Sequence, residues 1–506
     1  MRINIPESKN SALFIFILFI ALFVRVLSFG GYEGSDDAAY TDFAYKISQG
    51  NYRIMENYSG PPVFPLRIGL SLPVALGFKL FGPSESAVVS YPLVISILSI
   101  VLAFLTAKAF FNIRAALIAA FIYAILPIDM RCASTLMPDL IGAFWVNVGI
   151  LLIVYASKND SLALKAAYGL LAGISVGIAW FCKETIAYAI PFIILYLFWL
   201  TCRRKHNAII LASVLFMCAA VLAAESAMYY IHTHDFFYRY HLIERNYQFD
   251  QAWYGATWGK ETGITLARRM LIDNPKAIFM NADFSFVTLS ALLGIGYAIF
   301  RKSRNFLAPG FWFIFLALFF NFGSASLKSY RLLALYQYRY MYPLLLPAVL
   351  ITAGVIDLLI PASKKILKEQ LWRERLFLGG ILAAGIFFTS LFGIVKHVWQ
   401  GKYSKAERLV SRMVTPDALV YTDVRSAAVL KLFWKYSSQL RMHEFSGMGA
   451  DDIPAGAYVL INRGRVDWIN SKYGYSLPQF YKNIPDHWML KLDKARAQLY
   501  WVPIGK

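Results

Sequence analysis

Eleven separate runs of mostly apolar residues punctuate this chain, at 11–28, 86–110, 115–130, 140–156, 166–181, 185–201, 208–230, 284–300, 306–322, 340–361 and 376–395. Runs of roughly 16–25 such residues are long enough to cross the hydrocarbon core of a bilayer. Inside lipid, backbone N–H and C=O groups must be satisfied within the protein, so runs of this kind fold as transmembrane helices. Composition agrees, since only 16% of the 506 residues are charged and 58% are hydrophobic. That leaves too little polar surface for a water-soluble chain of this size.

Orientation follows from the basic residues. With the N-terminus in the cytoplasm, one side carries Arg114, Lys158 and Lys165, Arg203 to Lys205, Arg301, Lys302 and Arg304, and the cations from Lys364 to Arg375. Every strongly basic short loop then falls inside, as membrane insertion requires. The net charge of +20 is accounted for in this way, and nucleic acid is not an expected partner. Residues 63–81 are also apolar, but Pro65, Pro73 and Arg67 interrupt them, so they read as interfacial helices on the outer leaflet. The first run follows Arg2 and Lys9 and lacks a clean cleavage site, so it reads as a retained anchor. Cys132, Cys182, Cys202 and Cys218 form no CxxC pair and read as small packing residues.

The expected architecture is mainly α, a polytopic bundle of about eleven spans over 1–395 with a small α/β domain at 396–506. Segments 418–422, 457–461 and 497–501 read as strands, and 426–436 as a helix between the first two. The outer face would hold a first loop at 30–85, a short turn at 129–139, a long loop at 232–283 and the tail. No internal repeat is visible.

Two neighbouring acids, Asp36 and Asp37, stand just beyond the first span, and Asp129, Arg131 and Asp139 bracket a later turn on the same side. Charges at a membrane edge are costly to desolvate and mark functional sites by default. A carboxylate there can take a proton from an attacking hydroxyl, and paired carboxylates can hold a hard divalent cation. A helix cap by Ser35 or Asp36 is the competing structural role. Lone cations such as Arg131, Arg331 and Arg339 can also snorkel to headgroups, and Trp253, Tyr254 and Trp258 can serve as interfacial anchors.

An ordered set of motifs resembles a known family. It runs Asp36-Asp37-Ala38-Ala39-Tyr40, Gly60-Pro61-Pro62, Phe81-Gly82-Pro83-Ser84-Glu85, Met137-Pro138-Asp139, Cys182-Lys183-Glu184-Thr185 and Arg339-Tyr340-Met341-Tyr342-Pro343. It is similar to the GT-C membrane glycosyltransferases, in the group that includes protein O-mannosyltransferases and lipid A aminoarabinose transferases. The resemblance implies inverting transfer of a sugar from a polyprenyl-phosphate carrier to a lipid, glycan or protein acceptor on the outer face of a plasma or inner membrane. It makes Asp36 the candidate base, with Asp37 and Asp139 as the other acids and as ligands of a divalent metal, if one is used. Lys183, Arg245, Tyr340, Arg339 and Arg131 become candidates for the donor phosphate. Two positions depart from the family: Gly60 replaces a His or Lys before the Pro pair, and Ala38 and Ala39 stand where some members carry Arg.

Two other classes compete. A transporter or lipid flippase would use the acids for ion coupling, but such acids sit mid-span within broken helices and repeated halves. An accessory scaffold would leave the acidic pair without a task.

Overall fold

The computed structural model describes residues 7–54, 61–254, 264–324, 330, 332, 338–360, 369–473, 476–494 and 496–504. Helices dominate. In chain order they are α1 (Glu7–Leu27), α2 (Asp36–Ser48), α3 (Ile68–Phe81), α4 (Glu85–Phe110), α5 (Ile113–Ala124), α6 (Pro127–Ala133), α7 (Pro138–Lys158), α8 (Leu162–Cys182), α9 (Ala189–Arg203) and α10 (Ala208–Thr233). There follow α11 (Tyr238–Tyr254), α12 (Ile264–Arg268), α13 (Asn274–Phe279), α14 (Val287–Phe300), α15 (Leu307–Phe322), α16 (Leu345–Leu359) and α17 (Glu369–Gln400).

Nine helices among the described residues are long and apolar enough to cross a membrane, or ten if the bent pair α5 and α6 counts as one. That pair bends by 61°, because Pro127 at the first position of α6 cannot continue the hydrogen-bond ladder of α5. The run expected at 284–300 forms the 14-residue α14, about 21 Å at 1.5 Å per residue, shorter than a bilayer core. Residues 63–81 form a short 3-10 turn and then α3. It packs on α2, α4 and α8 while Leu72, Leu76, Leu80 and Phe81 face outward.

Close helix packing has a sequence cause. Gly169, Gly173 and Gly177 lie at four-residue spacing on α8. A Cβ added to them would stand 2.8 Å from Ser213 Cβ, 2.6 Å from Met217 Cβ and 2.9 Å from a Val221 methyl of α10. Small residues at this spacing let two membrane helices approach where no hydrophobic gain drives association. A buried polar knot ties α1 to the bundle: Arg25 pairs with Asp129 of α6, which also accepts from Ser96 of α4 and from the Tyr342 hydroxyl.

The C-terminal unit is a five-stranded mixed sheet in the order β2-β1-β3-β5-β4. Its strands are β1 (Leu419–Thr422), β2 (Arg441–Glu444), β3 (Tyr458–Asn462), β4 (Met489–Lys494) and β5 (Ala497–Trp501). The three expected strands are β1, β3 and β5, and the expected helix is α19 (Val424–Phe433), capped by Asp423, which accepts from the N–H groups of Arg425 and Ser426 at 3.0 Å each. Helices α18 (Lys405–Met413) and α20 (Arg463–Tyr473) complete the unit.

Candidate active site

Four chain segments converge beside the first loop. Asp36 opens α2, and Asp139 stands in the first turn of α7 behind Pro138, so both carboxylates lie at helix N-termini, where negative charge is favoured. Lys183 occupies the extended residue that ends α8. Arg339 and Tyr340 sit in the 3-10 turn Tyr338–Leu344 before α16.

These side chains form a chain of alternating charge. Arg339 Nη2 donates to Asp36 at 2.7 Å, and its Nε lies 3.7 Å from Asp139. Lys183 Nζ donates to the other Asp139 oxygen at 2.5 Å and lies 4.3 Å from the Tyr340 ring centroid. A second tier adjoins it: Arg67 grips Glu184 in a bidentate pair at 2.6 and 3.1 Å and also donates to the Tyr40 hydroxyl. Behind it, Arg239 pairs with Glu225 at 2.6 Å and donates to the Leu66 carbonyl at 3.0 Å. Asp139, Lys183, Arg67 and Arg239 are all buried, so each charge needs its partner.

The two adjacent acids have different surroundings. Burial opposes ionisation of Asp36, but the Arg339 guanidinium overcomes it and holds the carboxyl below the ordinary range, with smaller help from Arg67 and Arg425. Asp37 is fully buried and turns back on the chain, accepting from the N–H groups of Glu33 at 2.7 Å and Ser35 at 2.6 Å. Burial, reinforced by Glu33, raises its pKa to about 6 despite those bonds. Ser35 makes no side-chain cap, so the capping role considered for it is not realised.

Of the expected site residues, Asp36, Asp139, Lys183, Arg339 and Tyr340 meet. Arg131 does not join them; its charge faces Tyr403 and Glu33 instead. Arg245 is exposed on α11, and no described contact brings it to the cluster. Gly60, Trp258 and Arg331 lie outside the described residues, as do the side chains of Trp253 and Tyr254. Arg67, Tyr40, Arg239 and Glu225 were not anticipated. A lone arginine in the apolar stretch 63–81 was the legible signal for Arg67.

The acids do not fit the expected metal. Both oxygens of Asp37 are taken by backbone N–H groups. Asp139 gives one oxygen to Lys183, and its other, without a hydrogen bond, faces Arg339. Among the described residues no group of three or more His, Cys, Asp and Glu is placed to hold a metal ion.

Residues 61–228 match a family model described as dolichyl-phosphate-mannose-protein mannosyltransferase. No curated protein matches the chain by sequence. The fold is similar to ArnT from Cupriavidus metallidurans bound to undecaprenyl phosphate, with TM-score 0.58, 14% identity and 98% of each chain covered. It is also similar to the Archaeoglobus fulgidus oligosaccharyltransferase in complex with Zn and sulfate, with TM-score 0.56 and 15% identity over 94% of this chain and 74% of that one. The same archaeal enzyme, AglB, with an inhibitory peptide and a dolichol-phosphate aligns at TM-score 0.52 and 13% identity, covering 90% of this chain and 69% of that one. The chain therefore carries the GT-C fold, and a third of it matches the mannosyltransferase family model.

Proposed function

We propose that this chain is an integral membrane glycosyltransferase that moves a sugar from a polyprenyl-phosphate carrier to an acceptor hydroxyl, with inversion, on the extracytoplasmic side of the membrane. The observation that carries the reading is the direct Asp36–Arg339 pair within a cluster that also holds Lys183 and Asp139.

The chemistry needs a base and a place for a phosphate leaving group, and these residues supply both. The acceptor oxygen attacks the anomeric carbon from the face opposite the phosphate, and Asp36 takes the hydroxyl proton. The bond between the anomeric carbon and the phosphate oxygen breaks, and its electron pair leaves on polyprenyl phosphate. Lys183 and Arg339 face the charge that develops there, and charge-assisted contacts of this type are the strong ones. Asp139 orients Lys183, and the Tyr340 ring backs the same ammonium. Asp37 holds the loop that presents Asp36.

The basic short loops support an extracytoplasmic site and an extracytoplasmic position for 396–506. A reporter active only in the cytoplasm, fused after Lys506, should stay silent; signal from it would overturn the orientation. The reaction is tested by incubating purified protein with a labelled polyprenyl-phosphate sugar and an acceptor extract. Release of polyprenyl phosphate with label on the acceptor supports the reading. Passage of intact carrier between leaflets without release would instead favour a flippase.

A further inference from the structure

We infer that the C-terminal sheet domain is a working part of the transfer site, because Arg465 and Ser404 from that domain fix the loop at residues 32–37 and thereby set the direction of Asp36. The inference rests on the reading of Asp36 as the base.

The loop is held group by group. The Tyr32 carbonyl accepts from the Ser404 hydroxyl at 2.5 Å, and its N–H donates to Glu85 at 3.0 Å. Glu85 is in turn gripped by Arg408 of α18. The Glu33 carbonyl accepts from Arg465 Nη1 at 2.8 Å, while its N–H and that of Ser35 go to Asp37. Arg425 of α19 reaches the Ser35 hydroxyl at 3.3 Å. Just upstream, the Gly30 carbonyl accepts from the Tyr403 N–H at 2.9 Å. The domain thus binds three backbone carbonyls of this stretch, those of Gly30, Tyr32 and Glu33, and adds one side-chain contact at the Ser35 hydroxyl.

Arg465 is itself aimed. Its Nε lies 2.8 Å from the fully buried Glu407, and that same carboxylate oxygen accepts from Ser426 and Asn462 at 2.9 Å each. Its second terminal nitrogen donates to the Ser404 hydroxyl at 3.1 Å, joining the two residues that hold adjacent carbonyls. A second grip lies farther along α2: the Tyr436 hydroxyl donates to Asp42 at 2.6 Å and the Tyr436 ring stacks on Tyr45 at 4.1 Å. The start and the middle of the helix that opens with Asp36 are therefore fastened to the domain. Gly34 records how close the two surfaces come, since a Cβ there would stand 2.3 Å from a Val429 methyl of α19.

The division of labour is specific. Lys183, Arg339 and Asp139 belong to membrane elements, whereas Asp36 opens α2 directly after a loop whose backbone is held by the domain. Arg465 and Ser404 are thus positioning residues for the chemical step and not for carrier binding.

The test uses the full chain with Arg465→Gln, Arg465→Lys and Ser404→Ala, reading kcat, donor KM, direct binding of polyprenyl phosphate and amide hydrogen exchange. A displacement of about 1 Å at a reacting group costs on the order of 10²-fold. Arg465→Gln is expected to lower kcat by about 10–100-fold with carrier binding no weaker, to speed exchange over residues 30–40, and to be partly rescued by Arg465→Lys. Ser404→Ala removes a single hydroxyl, so it carries the test if Arg465→Gln does not accumulate, with a smaller loss of the same pattern. Parental kcat in folded Arg465→Gln, or unchanged exchange over residues 30–40, overturns the inference. If the parent transfers no sugar, the glycosyltransferase reading fails, while the exchange measurement still decides whether the domain holds the loop.

Discussion

Replacing Asp36 by asparagine separates chemistry from architecture. Base catalysis contributes about 10²–10⁴-fold, and each tenfold is about 1.36 kcal/mol of barrier, so the variant should lose roughly 3–5 kcal/mol of transition-state stabilisation. The structural loss is much smaller. The Asp36 side chain is 33% exposed and that of Arg339 18%, and partly solvated pairs contribute about 1 kcal/mol or less. The asparagine oxygen still accepts from Arg339, and the helix N-terminus loses about 0.3–1 kcal/mol of charge–dipole attraction. The expected result is a kcat reduced by two to four decades (about 10²–10⁴-fold), donor binding within a few-fold of the parent, and a thermal midpoint lowered by only a few degrees. Radiolabelled transfer, equilibrium binding of polyprenyl phosphate and a thermal-shift curve on one preparation measure all three. Parental turnover in Asp36→Asn would refute the assignment and leave Asp36 as a partner of Arg339 alone.

Other outcomes follow from the same geometry. Lys183→Met should weaken polyprenyl-phosphate binding by about 10–150-fold, the equivalent of one charged hydrogen bond, and should destabilise the protein by leaving buried Asp139 short of its partner. Adding Asp139→Asn should restore the stability without restoring affinity, and recovery of both would move the phosphate site elsewhere. The Asp37 pKa of about 6 lies above its ordinary value, so its contribution to stability is present below pH ~4 and lost as pH rises through about 6, by up to about 3 kcal/mol. Melting curves from pH 4 to 8 should show that fall in the parent and not in Asp37→Asn, although the variant is less stable overall because its amide meets a backbone N–H; identical slopes would contradict it. Gly34→Ala places a side chain at φ +73° against Val429 and should cost about 1–3 kcal/mol, with kcat falling more than donor affinity; a neutral result would show that the loop has room to move.

The membrane helices were legible because each needs only a long apolar run, and Asp36, Asp139, Lys183, Arg339 and Tyr340 were legible through the motifs that carry them. Three kinds of information were not. The tasks of Asp36 and Asp37 cannot be told apart from an acidic pair, since what separates them is the backbone turn at residues 33–35 that delivers two N–H groups to Asp37 alone. Arg67 looked like an interruption of an apolar stretch, and only the approach of α3 to α8 gives it Glu184. The missed strands β2 and β4 form the two edges of the sheet and are largely exposed, so neither shows the apolar run that marks β3. The Gly169, Gly173 and Gly177 stripe was readable in principle, because four-residue spacing of glycines inside an apolar run signals a close helix contact.

Charge balance explains how the proposed reaction can run in a buried site. Arg339, Lys183 and Arg67 face Asp36, Asp139 and Glu184, three cations against three carboxylates. A phosphodiester adds one negative charge. On transfer the phosphate gains a second, while Asp36 accepts a proton and loses its own, so the total stays constant through the step. Arg339 is the shared part, since a phosphate that draws it away removes the largest influence lowering the Asp36 pKa and leaves burial to raise it, turning a weak base into a stronger one when the donor is in place. Arg339→Gln tests this, because the substitution makes that change permanent. Its donor affinity should fall, and the acid limb of kcat/KM should gain an ionisation at or above the ordinary carboxylate value of ~3.9, where the parent has Asp36 already ionised. Rates from pH 4 to 8 at subsaturating donor read the limb directly. A profile that superimposes on the parent's, with affinity reduced, would show that Arg339 binds phosphate without tuning the base.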